Sequence, residues 1–445
     1  MIIPAPAILR LVAATLLPAA LLYPMLPALQ PWLVLVPLVL GLVALADLLS
    51  ALHRGNRVTI TLPDRLALIC GRTTPLPLTL HTTHGRQQEL QLGLTLPDNV
   101  AAPFREQQIL LPANSQAVRL DWPLSGSRRG RFRLTRCNLR ISSPLGLWQL
   151  QFSQQLSCEL RVYPNLRSER RRLAALFLER NDRQVRSLRQ RGQGREFDKL
   201  RHYQAGDSLG DIHWKATAKR GQLITKEFQI ERTQEIYLLL DSSRLSGRSV
   251  TGAGGTSEPF LEQSIRTALL LGSVAQRQGD LFGVATFSGR VHGFVRAKSG
   301  KPHFGHCRDL LYTIQPDRDN PDYGGLASFL AARLRRRALL IFLTPLDEPA
   351  LAEEFLRAVR ILARRHLICV AMPQPAAAVP LFHDADLQEF DDLYRHLAGH
   401  LSWHQLRELQ QSLRLQGIRL LLVKDERLSA DLISHYLDVK RRQLL

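Results

Sequence analysis

Cysteine is sparse and unpatterned in this 445-residue chain: Cys70, Cys137, Cys158, Cys307 and Cys369 are the only five, and none stands in CxxC spacing. That excludes a zinc-ribbon type of site and a disulfide framework, and it fits a reducing compartment. Acidic residues are also few beside basic ones, 39 Asp and Glu against 59 Lys and Arg, for a formal net charge of +20. A chain this basic works near an acidic surface, and nucleic acid, anionic lipid and an acidic protein patch are the classes to separate. The most basic stretch, Arg167 to Arg195, does not interleave Tyr and Phe as a base-stacking platform requires. The hydrophobic share of 45% is ordinary, and the length suits two or three domains, each with its own core.

The N-terminal 55 residues are poor in something else, namely charge, with only Arg10, Asp47 and Arg54. Two apolar runs, about 8–26 and 33–49, each approach the ~20 residues that cross a hydrocarbon core. The connector from Tyr23 to Trp32 holds no Lys or Arg, whereas Arg10 precedes it and Arg54 and Arg57 follow the second run. Basic residues stay on the cytoplasmic side, so a transmembrane hairpin with both termini in the cytoplasm is expected.

From 56 to 164 the pattern switches to alternation of apolar and polar residues in short runs such as "RVTITL", "ELQLGLTL" and "RFRLTRCNLRIS", split by Gly, Pro, Asn and Asp. That predicts an antiparallel β-sandwich, and it carries no paired nucleophile and base. Residues 165–232 form a basic connector that permits a short amphipathic helix over Leu173, Leu176, Phe177 and Arg180. From 233 to 445 apolar strands, among them "EIYLLLD", "LFGVATFS", "ALLIFLT", "HLICVAM" and "IRLLLV", alternate with helical segments. The expectation is an α/β doubly wound domain, with any ligand beyond the carboxyl ends of the strands.

At that edge the first strand ends in "DSSRL", which resembles the opening of a von Willebrand factor A domain. The metal site of that family uses Asp-x-Ser-x-Ser, a later Thr and a later Asp. Asp241 and Ser243 match, but Leu245 stands at the third position, Leu326 follows the Gly-Gly pair where Thr is usual, and Pro345 stands where Asp is usual. Leu and Pro side chains cannot ligate a hard cation, so Asp241 and Ser243 are read as the remnant of a degenerate site. At most weak Mg²⁺ binding is expected, with Asp347 the one further carboxylate in reach, and no cofactor.

The stretch "FDKLRHYQAGDSLGDIHWKAT" (197–217), followed by "IYLLLDSSR", resembles the central signature of domain-of-unknown-function family 58. Phe197, Asp198, Arg201, Tyr203, Gly206, Asp207, Ile212, Trp214 and Lys215 stand where the signature has them, while Gly210 replaces a frequent Arg. The resemblance implies a membrane-anchored bacterial protein with a von Willebrand factor A-like domain, set in the inner membrane beside other membrane-complex proteins. It further implies a MoxR-type AAA+ ATPase as partner. From the residues themselves, Gly206-Asp207 is a turn pair, Tyr203 and Trp214 are anchors, and Arg201, Asp207, Asp211 and Lys215 are able to pair. The stretch is expected to act as a joint between the two soluble domains and as a binding surface, with no catalysis. Two other classes compete: a metal-dependent hydrolase on Asp207, Asp211 and Asp241 with His213 as general base, and a nucleic-acid binder on the Arg-rich segment.

Overall fold

The computed structural model describes residues 1–23, 30–55, 58–82, 88–112, 117–167, 169–171, 173–174, 196–204, 207–229, 234–251, 257–375, 378–380, 390–423 and 427–442. They fall into two compact units, Met1–Asn165 and Leu166–Leu445. Most of the Arg-rich segment, with its predicted amphipathic helix, lies outside the described residues.

The first unit begins with strand β1 (Ile2–Pro4), ahead of helices α1 (Pro6–Leu22) and α2 (Gln30–Gly55). Within α2 the 22 residues Pro31–Leu52 are apolar and long enough to cross a membrane and are mostly exposed; α1, at 17 residues, is apolar but shorter. Nine strands follow: β2 (Val58–Thr61), β3 (Arg65–Ile69), β4 (Thr73–Thr82), β5 (Gln88–Leu94), β6 (Val100–Ala101), β7 (Glu106–Leu111), β8 (Ala117–Gly126), β9 (Gly130–Ser142) and β10 (Trp148–Tyr163). They build two sheets, one ordered β1-β10-β9-β5-β7 with β3 also on β10, the other β2-β4-β8-β6. The alternation in the sequence works as expected here: Leu76, Leu78 and Leu80 of one sheet and Leu90, Leu92 and Leu139 of the other share one core with Trp122. Each fully buried Leu contributes roughly 1.5–3 kcal/mol.

The expectation of purely antiparallel pairing fails at one place. Strand β3 runs parallel to β10, Arg65–Ile69 against Glu159–Tyr163. Parallel neighbours need a long crossover, and here the whole intervening domain serves as one, a feature local alternation does not encode. Strand β1 was not anticipated either, because three residues before an apolar run carry no period.

The second unit opens with an antiparallel pair, β11 (Glu196–His202) and β12 (Ile224–Gln229), whose connection carries a short helix, α3 (Trp214–Arg220). The rest is a six-stranded sheet: β13 (Glu235–Asp241), β16 (Leu281–Phe287), β17 (Val291–Lys298), β18 (Ala338–Leu343), β19 (Leu367–Pro373) and β20 (Arg419–Val423), in the order β17-β16-β13-β18-β19-β20. The ribbon β14 (Ser249–Thr251) and β15 (Ser257–Pro259) lies apart from it. All sheet neighbours are parallel except β16 and β17, the predicted hairpin.

Successive residues of β13 point to opposite faces, and both faces are covered. Tyr237 and Leu239 pack with α6 (Tyr323–Arg333), α7 (Pro349–Ala363) and α8 (Phe390–Leu415). Ile236, Leu238 and Leu240 pack with α4 (Phe260–Arg277), α5 (Lys301–Leu311) and α9 (Leu428–Arg441). Two-sided burial is why "EIYLLLD" reads as an unbroken apolar run. Gly283 of β16 is required by the close packing: a Cβ there would lie 2.6 Å from the Tyr237 ring and 2.8 Å from the backbone nitrogen of Ala297.

Candidate functional site

In the β11–β12 module the sequence signature becomes a clamp. Arg201, near the end of β11, donates from Nη1 to Asp207 Oδ2 at 2.8 Å and from Nη2 to Oδ1 at 2.6 Å. This bidentate pair is the strong, geometrically specific form of the interaction, and it is mostly shielded, with the side chains 23% and 17% exposed. Asp207 also accepts from the Gln204 backbone nitrogen at 2.9 Å, closing the predicted turn, while the Tyr203 hydroxyl donates to the Asp207 carbonyl at 3.3 Å. Gly206 and the side chain of Asp198 lie outside the described residues.

Two parts of the expected network are corrected. Among the described residues no ion pair joins Asp211 or Lys215 to the clamp: half-buried Asp211 closes a single 3₁₀ turn, Leu209–Asp211, and Lys215 is exposed on α3. Trp214 is not a buried anchor. It is 67% exposed at the first turn of α3, with Leu209 at 70% and Leu223 at 45% nearby in the same connection. The reason is local: Ile212, two residues before it, takes the inward place by bridging to Thr225, which turns the next residues out. His213 is the N-cap of α3, its Nδ1 accepting from the Ala216 nitrogen at 3.0 Å, so one ring nitrogen serves the helix end.

The second place lies where strand order reverses, between β13 and β18. Leu240 pairs with Leu343, so Asp241 and Thr344 leave their strands side by side on the face covered by α6. Asp241 is 0% exposed. Its Oδ2 accepts from the Thr344 hydroxyl at 2.6 Å and its Oδ1 from the Ser243 nitrogen at 2.7 Å; the Tyr323 hydroxyl lies 2.8 Å from that of Thr344. Ser243 turns its hydroxyl to the Leu245 nitrogen at 3.3 Å, capping the short turn Arg244–Gly247. Thr344 was legible only through register, since the "TPLD" stretch drew attention to the missing Asp at Pro345.

The fit to a hard cation is poor. Both carboxylate oxygens of Asp241 are engaged, Leu245 is wholly buried and Leu326 is 1% exposed in the core under α6. Asp347 lines the cleft beside Leu245 and Pro345 but is held by Arg248 at 2.5 Å, and Glu348 is held by Arg244 at 2.9 Å and Arg248 at 2.5 Å. Two guanidinium groups therefore sit on the loop where a cation's ligands would be. Among the described residues no group of three or more His, Cys, Asp and Glu is placed to hold a metal ion. Asp207 and Asp241 belong to separate hydrogen-bond networks, so the acids of the hydrolase alternative are not assembled.

Burial pushes the Asp241 carboxyl above its ordinary 3.8, against the pull of the Thr344 and Ser243 hydrogen bonds. A raised carboxyl favours the protonated fold, so its stability is full below the unfolded value and is lost as pH rises through the folded one. Asp241→Asn, which mimics the protonated form, is expected to raise the melting temperature at pH 7. The gain should vanish near pH 3.8. Thermal melts of the two proteins at both pH values check this, and a lower melting temperature for the Asn protein at pH 7 would reject it.

Among solved structures, the chain is similar to an aerotolerance-related membrane protein from Bacteroides fragilis NCTC 9343, at 16% identity and a TM-score of 0.31, over 47% of this chain and 99% of that one. It is also similar to the VWA domain of SpRpn10, at 10% identity and a TM-score of 0.29, over 46% and 95% of the two chains. A curated relative, the uncharacterized protein YeaD of Bacillus subtilis (strain 168), is 26% identical over 287 residues, 61% of this chain and 62% of YeaD. Residues 199–388, which hold the Arg201–Asp207 clamp and the Asp241 network alike, match the model described as protein of unknown function DUF58.

Proposed function

We propose that the protein is a membrane-anchored interaction module with no chemistry of its own, and that the β11–β12 connection is the surface its partner reads. The carrying observation is the exposed Trp214. A large aromatic side chain exposed on a short helix, in the same β11–β12 connection as a shielded bidentate ion pair, is the anatomy of a binding hot spot. Lys215, Lys219 and Arg220 are exposed on the same helix, which suits an acidic partner surface. The engaged carboxylate of Asp241 and the guanidinium groups over its cleft speak for binding without a metal.

By resemblance, the partner is a MoxR-type AAA+ ATPase, working with this chain in the assembly or activation of a membrane complex. Affinity purification from native membranes tests it: the ATPase should co-elute with the wild-type chain, and its absence from the eluate would count against the reading.

We infer further that α1 and α2 cross the bacterial inner membrane as a hairpin and leave both soluble parts in the cytoplasm. The support is the lack of Lys and Arg between the helices and their presence at both outer ends. A reporter active only outside the cytoplasm should score when fused after Gln30 and stay silent after Leu445. Activity at the second fusion would sink this topology.

A further inference from the structure

Helix α8 carries a regular repeat of titratable side chains. Asp392, His396, His400, His404 and Glu408 follow one another at intervals of four residues. Side chains four apart on a helix are neighbours, with Cβ atoms about 6 Å apart, and two imidazoles at that spacing are the ligand pair that the metalloprotease motif H-E-x-x-H places on one helix face. Here the spacing occurs twice in succession.

We propose that α8 binds one divalent transition-metal ion, chelated by His400 and His404. Two contacts single out this pair. The Glu408 carboxylate lies 3.4 Å from His404 Nδ1, behind the ring, which leaves Nε2 for the metal. A carboxylate on the far nitrogen is the usual support of a metal-bound histidine, fixing its tautomer and orientation. The His400 ring is stacked on Trp403 at 5.7 Å with an interplanar angle of 18°, which holds its plane. His404 is 60% exposed, so the ion has open access and keeps water at its remaining positions.

The flanking guanidinium groups have partners of their own, Arg395 on Asp392 at 3.6 Å and Arg407 over the Trp403 ring at 5.1 Å. Imidazole donors select zinc, nickel or copper over magnesium, so this site differs in chemistry as well as in place from the cleft at Asp241. With two protein ligands it is a chelate and not a closed structural site.

The probe is ZnCl₂, titrated calorimetrically into untagged full-length protein in detergent after chelator treatment. One ion per chain is expected, at micromolar affinity. His400→Gln and His404→Gln should each weaken binding by at least about tenfold, and Glu408→Gln by about tenfold through loss of the support. His81→Gln, in the first unit, should leave it unchanged. Because His404 is exposed, its variant should melt like the wild type, which separates lost binding from lost fold. Absence of binding at about 100 micromolar zinc, undiminished binding in the His400 and His404 variants, or one ion per two chains would overturn the assignment.

Discussion

Asp280→Ala is expected to lower the stability of the second unit by about 3–5 kcal/mol, the cost of leaving a buried charge without its partner. Asp280 is 0% exposed and sits just before β16. It accepts from the Gln234 nitrogen at 3.1 Å, from Lys440 Nζ at 2.7 Å and from the Tyr436 hydroxyl. One carboxylate thus ties the entry of the central strand β13 to the C-terminal helix α9. Removing it leaves the Lys440 ammonium, 18% exposed, with the Gln278 carbonyl at 2.8 Å but no counter-charge, and strands the hydroxyl of fully buried Tyr436. Urea unfolding should show a lower midpoint at unchanged slope. A shift below about 1 kcal/mol would mean that Lys440 finds water instead.

Trp214→Ala should have the opposite profile, a large effect on binding and almost none on the fold. A side chain 67% exposed contributes little to the core, so unfolding should move by no more than about 0.5 kcal/mol. Loss of a hot-spot aromatic from an interface costs about 2–4 kcal/mol, roughly 30- to 800-fold in Kd. Asp207→Ala is the counterpart: it breaks the clamp, leaves Arg201 without its bidentate acceptor and should destabilise by about 1–3 kcal/mol. Binding of the co-purified partner, measured with both variants, distinguishes a surface from a brace. If Trp214→Ala unfolds the protein and leaves binding of the folded fraction intact, the surface assignment fails.

Much of the architecture was legible because its signals are periodic. Alternation marked the strands of the first unit, and unbroken apolar runs marked β13, β18 and β19, whose two faces are both covered. The misses are where the deciding physics is not local. The parallel pairing of β3 with β10 joins segments some ninety residues apart, and nothing in "RLALI" states its neighbour. At the site, the pairing of Arg201 with Asp207 followed from charge and a turn signal, whereas the exposure of Trp214 depended on which of Ile212 and Trp214 takes the inward place. Composition favours burying the larger ring, and the bridge to Thr225 decides otherwise. Thr344 was hidden for a related reason, since its link to Asp241 comes from strand register.

Strand β1 has a consequence for how the chain is made. Ile2, Ile3 and Pro4 pair with Leu150, Gln149 and Trp148 of β10. The far end of α2 is fastened to the same hairpin, where the Trp148 indole donates to the Ala44 carbonyl at 2.8 Å and the Leu145 nitrogen to Asp47 at 3.0 Å. Start and finish of the helical pair thus meet at one spot, which imposes parity: if α2 traverses a bilayer, α1 must traverse it too, or β1 would be stranded on the wrong side of it. It also imposes a schedule. Strand β1 waits for a mate synthesised nearly 150 residues later, so at ~5–20 residues per second the helices have many seconds to enter the lipid before the sheet closes over their ends.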